Sequence, residues 1–174
     1  MGTGVLAKIH KKKQAGLMGR SAVSAAILAC LAFAAPVRAD DVIIPGKSIG
    51  PVLIGMTAQE LYRAMGEPRS SDVGEDKTSY TYDGLQVGVE NDSQRVYRAF
   101  ATSPRYKLVK GIAVGSSALA AVAAYGEPDE RDETPKGDKT FCYDDFELYI
   151  RDGAVAAIMV SKESCDTGFF YFFR

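Results

Sequence analysis

The sequence predicts an α+β fold: two tandem α-β-β-β repeats forming an antiparallel sheet, with the helices packed on one of its faces. Three observations lead there. The chain aligns with itself at a spacing of 60 residues, each copy begins with a cappable helix, and each copy continues in period-2 alternation.

The alignment pairs Ile49–Pro68 (IGPVLIGMTAQELYRAMGEP) with Val109–Pro128 (VKGIAVGSSALAAVAAYGEP). Gly55/Gly115, Ala58/Ala118, Ala64/Ala124 and the Gly-Glu-Pro triplets at 66–68 and 126–128 are identical. Thr57 and Ser117 suit the helix N-cap, because a short side-chain oxygen accepts from an otherwise unpaired N–H of the first turn. Thr57 with Glu60 completes a capping box. Ala58, Leu61, Tyr62 and Met65 then share one face, as do Ala118, Ala121, Val122 and Tyr125. Gly66 and Gly126 end the helices, and Pro68 and Pro128 prevent their resumption.

Strands are expected at 79–82, 85–90 and 95–100, and again at 140–143, 146–151 and 154–160. Leu85, Val87 and Val89 share a face, matched by Phe146, Leu148 and Ile150. Asp152-Gly153 is a two-residue hairpin signal, and Asn91-Asp92-Ser93 marks the corresponding turn. Asn91 also opens a glycosylation sequon, but Asn and Asp are expected in a turn on conformational grounds. A unit of about 55 residues is marginal alone, so the two copies should share apolar surface.

The full chain has 174 residues, 21 basic against 22 acidic. Residues 1–39 hold six basic residues (Lys8, Lys11, Lys12, Lys13, Arg20, Arg38) and no acid. The rest therefore carries 15 basic against 22 acidic residues, a formal charge of −7. The basic stretch precedes an apolar run at 22–35, and Val37-Arg38-Ala39 offers a cleavage site before Asp40. That order of basic start, short apolar core and small-residue site is the pattern of an export signal. The run is shorter than the roughly 20 residues that span a bilayer. Met18 would give a more compact signal than Met1, and Ile27-Leu28-Ala29-Cys30 loosely resembles a lipobox, a less favoured route to a lipoprotein through Cys30. The expected organisation is signal peptide 1–39, N-terminal segment 40–48, repeat 1 at 49–105, repeat 2 at 106–166 and an aromatic tail at 167–174. The expected location is periplasmic or secreted.

Removing the leader removes His10, so the exported body has no histidine. That excludes Ser-His and Cys-His nucleophiles and His-ligated metals. An acidic body without a basic stripe argues against nucleic acid as a partner. Cys142 and Cys165 form an even pair in an oxidising compartment, so a structural disulfide is expected, contributing roughly 3 kcal/mol in the chain-entropy view. Gly46-Lys47-Ser48 looks like the end of a P-loop, but Asp41 stands where its first glycine should be. The acidic runs after each helix, including Asp72, Glu75, Glu130, Asp132 and Glu133, lack the spacing of a calcium loop and read as solvated connections. No metal, cofactor or catalytic residue is expected.

Tyr80, Tyr82, Tyr97, Tyr106 and Tyr149 lie on or beside the predicted strands. Tyr80, Tyr82, Tyr97, Tyr149 and Arg151 are the candidate partner-binding residues, because tyrosines with charged neighbours suit protein recognition on an open sheet face. Tyr80, Tyr82 and Tyr143 can equally belong to the core, since a one-residue register error flips every side chain. The tail Gly168–Arg174 holds five consecutive aromatics at 169–173. Either it packs on the protein's own body, or it meets a partner's sheet edge or a membrane surface peripherally.

Ile54-Gly55-Met56-Thr57, Gln59-Glu60-Leu61 and Met65-Gly66-Glu67-Pro68 resemble the signature of the SmpA/OmlA (BamE) outer-membrane assembly lipoproteins. They are similar also to the wider group containing the β-lactamase inhibitory proteins, which duplicate a small helix-plus-sheet unit. The second copy keeps the motif only as Val114-Gly115-Ser116-Ser117 and Gly126-Glu127-Pro128. The resemblance implies a protein-binding module of the bacterial envelope, whose partner is another envelope or secreted protein. The alternative is a secreted inhibitor or immunity-type protein that blocks a partner enzyme.

Overall fold

The computed structural model describes residues 41–162. The first strands are short: β1 (Val42–Ile44), β2 (Ser48–Ile49) and β3 (Val52–Leu53). Gly46 turns the chain between β1 and β2 with φ 66°, and its N–H donates to the Asp145 carbonyl at 2.7 Å. Gly46-Lys47-Ser48 is thus a strand connection; no helix follows it directly.

Helix α1 (Ala58–Met65) starts at Thr57, whose Oγ1 accepts from the Glu60 N–H at 3.2 Å. Glu60 Oε2 accepts in return from the Thr57 N–H at 2.8 Å, so the capping box is complete. A four-stranded meander follows: β4 (Ser70–Val73), β5 (Lys77–Tyr82), β6 (Leu85–Glu90) and β7 (Val96–Ala101). After β8 (Lys107–Leu108) comes helix α2 (Ala118–Tyr125), capped by Ser117 alone. The second meander is β9 (Glu130–Glu133), β10 (Lys139–Tyr143), β11 (Phe146–Arg151) and β12 (Ala154–Ser161).

The meanders join through β7 and β12 into one antiparallel sheet of order β4-β5-β6-β7-β12-β11-β10-β9. Backbone details match between the halves. Gly55 N–H donates to Val96 O and Gly115 N–H to Val155 O; Ala58 N–H donates to Gln94 O and Ala118 N–H to Gly153 O. Register shifts occur at Gly88/Val89 in one half and at Tyr149/Ile150 in the other. The remaining strands form a small sheet, β3-β2-β1-β8, in which β1 runs parallel to β8.

One large core joins these parts. Leu61 and Ala121 from the helices, Ile43, Ile49 and Leu108 from the small sheet, and Leu85, Val87, Leu148 and Ile150 from the large sheet are all buried in it. Both helices and the small sheet therefore pack on one face of the eight-stranded sheet, called here the first face.

The fold expected from the sequence needs correction. The described chain is predominantly β, with only two eight-residue helices, and it is not a pair of α-β-β-β units. Each helix is followed by four strands, and a separate small sheet contributes to the core. The missed strands β4 and β9 are sheet edges with nearly every residue exposed, so neither needs apolar alternation. Asp72, Glu130, Asp132 and Glu133 accordingly stand on edge strands and not in connections. The small-sheet strands are two or three residues long, too short for any period to show.

Candidate recognition surface

The pairing register places each candidate tyrosine. Tyr80 lies opposite Val87 and Tyr82 opposite Leu85, which puts both on the first face beneath α1. Tyr80 meets the ring of Tyr62 edge-on at 5.7 Å. Tyr82 is buried, and its hydroxyl pKa is pushed up to about 12, mainly by burial and next by its neighbours Tyr62 and Tyr80. Tyr82 is thus a core residue, and Tyr80 is half-buried against the same core. Tyr106 is likewise buried in the same core.

The second face of the sheet carries the others. Glu147 pairs with Met159, Tyr149 with Ala157, and Phe100 with Met159. Phe100, Tyr149, Ala157 and Met159 form a separate buried cluster. The Tyr149 hydroxyl donates to Glu147 Oε2 at 2.9 Å, and burial first, then the adjacent carboxylate, raises its pKa. Tyr149 is thus also packed inside the protein.

Tyr97 is half-buried on this same face, with Lys77 Nζ 4.5 Å and the Arg98 guanidinium 4.9 Å from its ring centre. Its ring occupies the space a side chain at Gly88 would need, since a Cβ there would sit 2.6 Å from the ring. Arg151 is exposed at the end of β11 and pairs with Asp138 at 3.2 Å, an ion pair that raises its pKa. The five residues are therefore not brought together on one open surface. Cys142 is buried on β10 opposite Glu147, and Cys165 lies outside the described residues, as does the tail 167–174.

The sequon residue Asn91 is taken up internally. Its side-chain carbonyl accepts from Thr78 Oγ1 at 2.7 Å, and its amide donates to Gly74 O and Glu75 O, both at 2.9 Å. A shallow cavity of about 100 Å³ near Gly46, Asp145 and Lys162 is well below the roughly 300 Å³ of a small-molecule site.

An exposed apolar surface lies elsewhere, on the outer side of α2. Leu119 is 80% exposed there, beside exposed Ala120 and Ala123. The equivalent positions of α1 are Gln59, Glu60 and Arg63, the polar outer face expected of a helix lying on a core. The sequence signal was present in ALAAVAAY, which has no polar side, a pattern normally found in helices buried all round. Only Ala121 of α2 is fully buried.

Chemically, the described chain is thus a β scaffold presenting an apolar helix face, with Tyr82, Tyr106, Tyr143 and Tyr149 buried. No protein-family model and no curated protein matches the chain. Among solved structures it is similar to a cysteine-rich secretory protein from Staphylococcus aureus, with TM-score 0.46 and 13% identity, over 68% of this chain and 46% of that one. It is also similar to an extracellular protein containing a SCP domain from Bacillus anthracis, with TM-score 0.42 and 12% identity, over 63% of this chain and 44% of that one. The chain spans less than half the length of either protein.

Proposed function

We propose that the exported body is a non-enzymatic protein-binding module of the bacterial cell envelope, acting in the periplasm after cleavage at Ala39, and that α2 is its contact surface. The observation that carries this reading is Leu119, 80% exposed on a helix face without a polar residue. Burying one leucine against a partner contributes about 1.5–3 kcal/mol, enough to make it an anchor when its neighbours are small and permit close approach. The partner is a protein with an apolar groove or helix face. The test is a photo-crosslinking residue placed at position 119 or, as the matched control, at position 59, with the protein expressed in cells. A discrete adduct from 119 and none from 59 is expected, and Leu119→Glu should remove at least nine-tenths of partner recovery. Stability should change by less than about 0.5 kcal/mol, because an exposed substitution leaves the core untouched. Equal labelling from both positions, or none from either, would overturn the proposal.

A further inference from the structure

The small sheet carries a second exposed apolar surface, apart from α2. Ile43, Ile49, Val52 and Leu108 point from it into the core. Successive residues of a strand alternate between faces, and paired residues share one, so the residues between these point outward. Ile44 pairs with Ser48 and Ser48 with Leu53, which sets Ile44 and Leu53 in one row across β1, β2 and β3. Val109 comes one residue after Leu108, the parallel partner of Ile43, and so continues the row beyond Ile44. Ile44 is 44%, Leu53 54% and Val109 73% exposed, whereas Ser48 is buried.

Lysines border this row. Lys107 stands on the same outward side, paired with Val42, and Lys47 lies in the turn that leads into β2. Both are exposed, and neither has a carboxylate partner among the described residues. Lys110 is instead drawn to α2, where its Nζ donates to the Ala124 carbonyl at 2.7 Å. The segments 41–56 and 102–117, which build the small sheet, hold four basic residues against one acid, Asp41, a net charge of +3. The rest of the described chain holds ten basic against 18 acidic residues, a net charge of −8. An acidic protein thus concentrates its positive charge where its branched aliphatic side chains protrude.

We propose that the outer face of the small sheet docks on an anionic phospholipid surface. Protein interfaces are enriched in aromatic residues and arginine and depleted in lysine. None of the outward residues here is aromatic, and the cations without a carboxylate partner are lysines. Aliphatic tips with lysines beside them suit a headgroup layer: the tips enter the acyl boundary while the ammonium groups stay with the phosphates. So few side chains give a weak, reversible contact that salt screens. The same lipid surface repels the acidic remainder of the protein, which selects one orientation. No residue of α2 takes part, so this contact stands apart from the protein contact proposed there.

Flotation of the exported body, residues 40–174, with lipid vesicles provides the test. It should bind vesicles of phosphatidylcholine mixed with phosphatidylglycerol, and bind pure phosphatidylcholine vesicles about tenfold more weakly. Ile44→Ser with Leu53→Ser, and separately Lys47→Glu with Lys107→Glu, should each weaken binding about tenfold. Val73→Ser, which removes an equally exposed aliphatic residue on β4, should leave it unchanged. Thermal unfolding checks that each variant is folded; should the serine pair unfold, the lysine pair and Val109→Ser decide. Absence of binding to the mixed vesicles would overturn the proposal, as would equal binding to pure phosphatidylcholine or retention of binding in the folded variants. A crosslink from position 53 to an acidic protein in cells, without vesicle binding, would overturn it in favour of a protein partner.

Discussion

The two halves share a backbone plan and differ in where they place bulk. In the first half α1 inserts Leu61 into the core and shows Gln59, Glu60 and Arg63 to solvent. In the second, Ala121 occupies the inner position and Leu119 points outward. The large sheet shows the same exchange. Glu147 and Tyr149 of β11 fill the second face, whereas Gln86 and Gly88 of β6 leave room that the Tyr97 ring occupies. A backbone hydrogen-bond pattern thus tolerates opposite side-chain solutions as long as each space is filled once. One half is built like an ordinary surface unit, and the other carries the apolar helix.

The helix cores should break this comparison most sharply. Leu61→Ala gives the first half the residue the second half uses, yet it should cost about 2–5 kcal/mol in urea unfolding, because it leaves a cavity. The reverse change, Ala121→Leu, should cost about 1–3 kcal/mol through overpacking. If both were nearly neutral, the two helices would be packed interchangeably.

On the sheet, Gly88→Ala should cost about 1–3 kcal/mol, because the new methyl group meets the Tyr97 ring. Combining it with Tyr97→Ala should recover part of that loss, a coupling measurable in a double-mutant cycle. Strict additivity of the two changes would show that Tyr97 does not occupy the Gly88 space.

The caps should give the smallest difference. Thr57→Ala should cost about 0.5–2 kcal/mol and Ser117→Ala less, since only Thr57 has a reciprocal partner. Hydrogen bonds from the Thr57 backbone and hydroxyl hold the Glu60 carboxyl below its usual value of 4.5. A depressed carboxyl stabilises the fold above its unfolded pKa, and that contribution is lost as pH falls through the lowered folded value. Glu60→Gln should therefore flatten part of the acid limb of a stability–pH curve, while Ser117→Ala should leave its shape unchanged.

Much of the local structure was legible in the residues themselves. Thr57, Glu60 and Gly66 announce their helix because caps act within one or two turns, and Asp152-Gly153 announces its hairpin because both adopt positive φ. The edge strands were not legible: Ser70–Val73 and Glu130–Glu133 are held by neighbouring backbones and carry no apolar period. The sheet tyrosines were plausible on composition, but Tyr80, Tyr82 and Tyr149 turned out to pack within the protein.

By itself the sequence determined the caps, the hairpin turns and the spacing of the two helices, all interactions between residues a few positions apart. Only the tertiary structure decided which face of each strand is inside, that β7 and β12 join the halves, and that Leu119 stays in water. Those outcomes depend on contacts between segments far apart in the chain, and no short window of residues encodes which surface another segment will cover.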